Sequence, residues 1–279
     1  MKAQIGLMVE GQFGLNWDRW RRVLAMAERV GYQCVFRSDH FTNPATPDLD
    51  SLELFTSLTF AATHTSRIEL GSLVAPVTFR HPTMTVRQAA QIDDLSNGRL
   101  VLGLGAGWQK REHENYGIPF DDFPTRFRTF TDALEITTRL LASERPVTYQ
   151  GKRIAVKDAV LLPRPKRKTP VLIGGNGPTR TLPLAAKYAD EWNGVFLDPP
   201  TFRARNKLLD ELLEKNGRDP KSVKRSFMGG LSMFQGKEGI ERLESYIDAG
   251  CQRFMLQFLD YDNLEPVEVW AAENLERFR

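Results

Sequence analysis

Eight short runs rich in β-branched and aliphatic residues recur along this chain, each followed by apolar residues at helical spacing, and no other regularity narrows the fold as far. The runs are Ala3 to Val9, Gln33 to Arg37, Arg67 to Val74, Arg99 to Leu104, Thr169 to Ile173, Glu191 to Phe196, a seventh within Arg225 to Phe234 interrupted by Gly229-Gly230, and Cys251 to Phe258. The intervening segments read as helices. Trp17, Trp20, Leu24, Ala27 and Val30 form one apolar stripe that begins at Asn16 and stops at Gly31, and Asp50 and Asp262 stand where caps of later helices are expected. In the fifth unit Pro178 reads as the first helical residue.

Strict alternation of strand and helix predicts a parallel sheet, and eight units in 279 residues favour closure. The fold class is therefore α/β, a (β/α)8 TIM barrel, with residues 1–279 forming a single barrel domain. Residues from about 112 to 160 break the rhythm. A short helix from Glu112 to Tyr116, a loop through Pro119 and Pro124, a longer helix and a hairpin around Gln150-Gly151 form an insertion after strand 4.

Composition excludes several classes of function. The chain is 41% hydrophobic and 26% charged, and its 38 basic and 35 acidic residues give a net charge of +3 with both signs interspersed. That leaves no electrostatic footprint for nucleic acid. The run Arg164 to Lys168 reads as a solvated loop or as a contact for an anionic ligand tail. Cys34 and Cys251 are two core thiols that suit a reducing compartment, and the chain opens on a strand with neither a signal pattern nor a membrane-length apolar run. A cytoplasmic protein without membrane partners is expected.

Barrel active sites lie at the C-terminal ends of the strands, and the residues there are unusually bare. Strand 4 ends with Gly103, Gly105 and Gly107 at alternate positions and then Trp108. Glycine costs strand stability and is tolerated where a backbone or a flat ligand comes close, so this ledge is either a ligand platform or a bulge at a barrel corner. It lacks the spacing of a dinucleotide-binding turn. Strand 5 ends in Gly174-Gly175-Asn176-Gly177-Pro178, which is either a phosphate site at a helix N-terminus or a flexible turn, with Thr179 and Arg180 available beside it.

Strand 2 ends in Asp39-His40. His40 is the candidate proton donor or acceptor, with Asp39 beside it able to hydrogen-bond a ring edge; the plainer reading is a capped loop residue. His81 reads as a loop-structuring residue and His64 as a solvated one. His113 beside Glu112 lacks the partner a zinc site needs, so no metal is expected, and no Gly-x-Ser-x-Gly elbow occurs.

Taken together, Arg37-Ser38-Asp39-His40-Phe41, Arg67-Ile68-Glu69-Leu70-Gly71, the Pro76 to Pro82 segment, Gly98-Arg99 through Trp108, and Pro170 to Gly175 with Ala189-Asp190-Glu191-Trp192 resemble the luciferase-like flavin and deazaflavin oxidoreductases. The pattern is closer to the branch that uses coenzyme F420 than to the branch that uses FMN. The resemblance implies a ring in the barrel mouth near Asp39, His40, Leu73, Val74, Gly105, Ala106 and Gly107. Its phosphate would lie at Gly174, Gly175, Asn176 and Gly177, and a non-proline cis peptide is implied at Leu73-Val74. It also implies hydride transfer between F420 and a small organic substrate, with His40 as catalytic proton partner.

In the sugar-phosphate dehydrogenases of this branch an acidic residue follows the last ledge glycine. Here that place holds Trp108, and Glu112, one helical turn on, is expected to fall short. Phe41, Trp108 and Glu112 are the candidate substrate-pocket residues, the first two being ring walls or plain core. The segment from Glu112 to Pro124 is a candidate lid, and Tyr116, Phe120 and Phe123 suggest a partly apolar pocket. The alternatives are an FMN-dependent monooxygenase fed by a flavin-reducing enzyme and a flavin-binding protein without turnover. Expected partners are a small-molecule substrate, an F420-reducing enzyme and a second copy of the chain in a homodimer.

Overall fold

The computed structural model describes residues 2–278. Its strands are β1 Gln4–Val9, β2 Cys34–Arg37, β3 Glu69–Ser72, β4 Ala75–Pro76, β5 Leu100–Gly105, β6 Val147–Gln150, β7 Ala155–Ala159, β8 Val171–Gly174, β9 Glu191–Val195, β10 Lys224–Gly230 and β11 Arg253–Phe258. The helices are α1 Trp17–Val30, α2 Leu54–His64, α3 Pro82–Leu95, α4 Lys110–Asn115, α5 Phe123–Ala142, α6 Thr181–Tyr188, α7 Pro199–Lys215, α8 Gly236–Asp248 and α9 Glu265–Phe278.

The sheet runs β3-β2-β1-β11-β10-β9-β8-β5, and a further β3–β5 pairing closes it, all parallel. It is an eight-stranded (β/α)8 barrel, with β4 extending the upper end of β5. The β6–β7 pair is the expected antiparallel hairpin inside the insertion, its turn running over 151–154 with Gln150 closing β6. Because every strand points the same way, all eight C-terminal ends share one rim.

Alternation divides the apolar residues into two bodies. One set of side chains, including Ile5, Leu7, Val35 and Leu102, packs outward under the helices, while Met8, Cys34, Phe36, Leu73, Val101, Leu172, Met228 and Met255 form a separate cluster within the barrel. The lower end is polar. Buried Arg253 lies over the Phe36 ring, bonds Glu191 and Gln4 at 2.9 Å each, and pairs with Glu69. A guanidinium fork surrounded by this many acceptors closes the base without an unpaired cation.

Several expected boundaries move. The cap of α2 is Glu53, which accepts from Thr56 N, not Asp50; Asp262 pairs with Arg19 and does not cap α9. Gly229-Gly230 lie inside β10 and do not interrupt it. The sixth helix begins at Thr181, three residues after Pro178. Both cysteines are buried and free, Cys34 in β2 and Cys251 just ahead of β11. Among the described residues no helix is long and apolar enough to cross a membrane.

Candidate functional site

The common rim opens onto a cavity of about 700 Å³. Its floor is the upper layer of the barrel interior: Leu73, Val74, Val195 and Met228, with Gly105 and Gly174 on the flanking strands. The Leu73-Val74 peptide is cis.

The two glycine ledges serve this floor in different ways. A Cβ on Gly103 would sit 2.0 Å from the Ser72 carbonyl oxygen, so that glycine answers to a neighbouring backbone and not to a ligand. Added Cβ atoms on Gly105 and Gly174 would meet Val74 at 2.5 and 3.1 Å. These two glycines let the Val74 side chain sit between strands and still leave the floor flat. Gly107, at φ 76°, turns the chain outward so that Ala106 and Trp108 line the wall.

One side of the cavity is polar and was invisible in the sequence. Gln257 Nε2 donates to Glu10 Oε1 at 2.8 Å, Gln12 Nε2 donates to Glu10 Oε2 at 3.2 Å, and Ser38 Oγ donates to Gln12 Oε1 at 3.0 Å. These four residues lie at or just past the ends of β1, β2 and β11, so the pairing of β1 with β2 and with the last strand, β11, brings them together. Neighbouring strand ends at alternate positions were the available signal.

His40 lines the same cavity. Its Nδ1 lies 2.9 Å from Glu112 Oε1, and the other oxygen of Glu112 accepts from Phe41 N at 3.1 Å. Glu112 therefore does reach, contrary to the expectation from its spacing. The reason is that the segment after β5 folds back over the loop after β2: Gln109 Nε2 donates to Thr42 O at 2.8 Å, and Arg111 pairs with Asp48 at 2.6 Å. Burial opposes the imidazolium, but the hydrogen bond and charge of Glu112, with Glu10 and Asp39 beyond, outweigh it and raise the His40 pKa above its ordinary value. With Nδ1–H donated to Glu112, Nε2 is the nitrogen left for a ligand.

Asp39, expected beside the cofactor ring, does not line the cavity. Its carboxylate is buried and paired with Arg80, which also bonds Glu53 at 2.6 Å and lies over Phe55. Burial raises the Asp39 pKa and Arg80 pulls against that rise. This ion pair ties β2 to the loop after β4 and is not part of the cavity wall.

Phe41 likewise leaves the pocket: it stacks on Phe79 with ring centroids 4.6 Å apart and touches Tyr116. His113 is a buried strut between Gln109 O and Thr78 Oγ1, both at 2.7 Å. His81 caps α3, and exposed His64 stacks on Phe60. Of the expected lid aromatics only Phe123 lines the cavity; Phe120 packs under Arg126.

Gly174 and Gly175 face the cavity, whereas Asn176 and Gly177 do not line it. The Asn176 side chain bonds both backbone groups of Val195, locking this turn onto β9. Arg205 Nε donates to Asn176 O at 3.1 Å, and Arg180 follows the turn, resting on the Phe123 ring. The donor set fits a flat heteroaromatic ring on the Leu73-Val74 floor with its polar edge at Glu10, Gln12 and Ser38. It also fits a phosphate tail passing Gly174 and Gly175 toward Arg180 and Arg205.

Comparison with known proteins agrees with this geometry. The family model for luciferase-like monooxygenases matches residues 3–278. An F420-dependent glucose-6-phosphate dehydrogenase from Microbacterium testaceum is 33% identical over 196 residues, covering 69% of this chain and 57% of that protein. The pyrimidine monooxygenase RutA from Pseudomonas savastanoi pv. phaseolicola is 33% identical over 175 residues, 61% of this chain and 48% of that one. The chain thus spans about half the length of the curated relatives it matches. An F420-dependent secondary alcohol dehydrogenase, solved with an F420-acetone adduct, superposes with a TM-score of 0.86 over the full length of both chains at 20% identity. The chain belongs to the luciferase-like monooxygenase family.

Proposed function

We propose that this protein is an F420-dependent oxidoreductase that moves a hydride between the deazaflavin and a small organic substrate, with His40 as the proton partner. The observation that carries the reading is the His40–Glu112 pair at the rim, one imidazole nitrogen anchored by a buried carboxylate and the other left for the cavity. Such a pair holds one tautomer and takes or returns a single proton, which is what exchange of a hydride with an alcohol or carbonyl requires. When bound, the deazaflavin supplies the two-electron acceptor. The residues of this chain would bind and orient it: Leu73 and Val74 would support a ring face, Gly105 and Gly174 would keep that face clear, and Arg180 and Arg205 would meet its phosphate.

The His40→Ala variant tests this. It is expected to keep F420 affinity and lose turnover; full activity across pH would refute the assignment of His40. A second reading, an FMN-dependent monooxygenase supplied by a flavin-reducing enzyme, is favoured by the equal 33% identity to the pyrimidine monooxygenase. Oxygen consumption separates the two, because a ring with carbon at position 5 does not sustain it. The two buried free thiols support a cytoplasmic setting for this activity, beside an enzyme that recycles F420. A homodimer completes the proposal and is checked by light scattering.

A further inference from the structure

The walls of the cavity carry an imbalance that bears on the substrate. Among the described residues its ionisable linings are Glu10, His40 and Glu112, and neither lysine nor arginine is among them. The arginines of β2 and of the loop after β4 are committed elsewhere, buried Arg37 to Ser57 and Leu52 O, and half-buried Arg80 to Asp39 and Glu53. Arg180 and Arg205 stand at the Gly174 turn, where the cofactor's own phosphate would take them.

A phosphorylated substrate would have to bring its charge into a partly apolar site beside two carboxylates without a cation to receive it, and that cost is large. The outer rim is apolar instead. Trp108, Phe123, Phe196 and Leu259 all line the cavity yet are 62%, 46%, 53% and 43% exposed. Large apolar side chains gathered on one rim and left open to solvent mark a surface that a ligand covers. Trp108 also meets the His40 ring edge-on, centroids 5.4 Å apart at 75°, so the indole flanks the reacting carbon of anything whose oxygen reaches Nε2.

Resting on the hydride-transfer reading above, we propose that the substrate is an uncharged alcohol or ketone with an apolar body, and that Trp108 is a specificity-determining residue. In the oxidative direction the carbinol C–H and O–H bonds break and the carbonyl bond forms. The hydride leaves to F420 and the proton goes to His40 Nε2. Trp108 and the rim cover the hydrocarbon part, and Glu10 with Gln12 and Gln257 makes the opposite side acidic and unfavourable to anions.

The test uses the purified protein with a homologous series of secondary alcohols from 2-butanol to 2-octanol, and with glucose 6-phosphate. F420 binding is first measured by fluorescence. The expected result is reduction of F420 by the alcohols, with kcat/KM rising about fourfold per added methylene, and none by the sugar phosphate. In Trp108→Ala the slope flattens through KM while F420 affinity holds. A readout without turnover is quenching of tryptophan emission by 2-octanone in the F420-free protein, lost in Trp108→Phe. Of the other four tryptophans Trp20, Trp192 and Trp270 are buried and half-buried Trp17 packs against Phe60 away from the cavity, so the signal assigned to Trp108 is the part that Trp108→Phe removes. Turnover of glucose 6-phosphate, a flat chain-length series, or F420 binding with no alcohol or ketone accepted overturns the substrate assignment alone. Failure to bind F420 overturns the reading beneath it as well.

Discussion

Replacing Glu112 with Gln removes a charge from behind His40 while keeping a hydrogen-bonding side chain of the same shape. In the wild type the pair is 2.9 Å apart and the carboxylate is 1% exposed, so solvent screens it little. A hydrogen bond to a charged partner in such a place contributes about 1.5–3 kcal/mol. Its loss moves the His40 titration down. The direction is fixed by what remains, since burial, the largest influence on His40, then acts with weaker opposition.

Alcohol oxidation needs the neutral imidazole, so the rise of kcat/KM with pH should shift to lower pH in Glu112→Gln. Stability follows the same linkage. The folded-state pKa of His40 is raised, so the stabilisation is complete below the unfolded value and fades as pH climbs through the folded one. The gap between the urea midpoints of wild type and variant should therefore narrow as pH rises. The assays are a pH series of initial rates and of urea melts. An unshifted inflection, or one displaced to higher pH, would refute the claim that Glu112 sets the proton affinity of His40.

Gly103→Ala should cost about 1–3 kcal/mol of stability, read as a lower urea midpoint, because its Cβ meets a backbone oxygen at 2.0 Å that cannot rotate away. Gly105→Ala meets only the Val74 side chain, at 2.5 Å, so it should melt nearer to wild type but bind F420 more weakly as Val74 is pushed into the cavity. Arg80→Ala should cost about 3–5 kcal/mol by stranding buried Asp39, and Asp39→Asn in the same chain should recover part of that; equal melts for single and double variants would contradict the pairing. Arg205→Ala should raise the F420 dissociation constant about tenfold and reduce its salt dependence, measured by fluorescence titration at two ionic strengths.

The barrel was legible because each strand and helix announces itself locally, by residue type and by stops such as Gly31. The expected floor was legible for the same reason: His40, Val74, Gly105 and Gly174 all lie at strand ends, which the barrel gathers on one rim. What local patterns do not carry is contact between distant segments. Glu10 meets Gln257 across 247 positions, and their shared carboxylate site exists only once β1 pairs with β11.

Glu112 was misjudged on linear spacing because a helix turn was counted and the fold-back held by Gln109 and Arg111 was not. Asp39 was misjudged because its place at a strand end suggested that it faces a ligand ring, whereas in the loop past β2 its carboxylate turns to Arg80. Gly103 shows the converse lesson: the glycine was correctly singled out, and the close approach it permits is that of the Ser72 backbone.

The central claim is that the cavity holds a deazaflavin. It is tested most directly by titrating the purified apoprotein with F420 and, separately, with FMN, following absorbance and fluorescence of each. Saturable, tight F420 binding with weak FMN binding is the predicted result. Preference for FMN, or binding of neither, would contradict it.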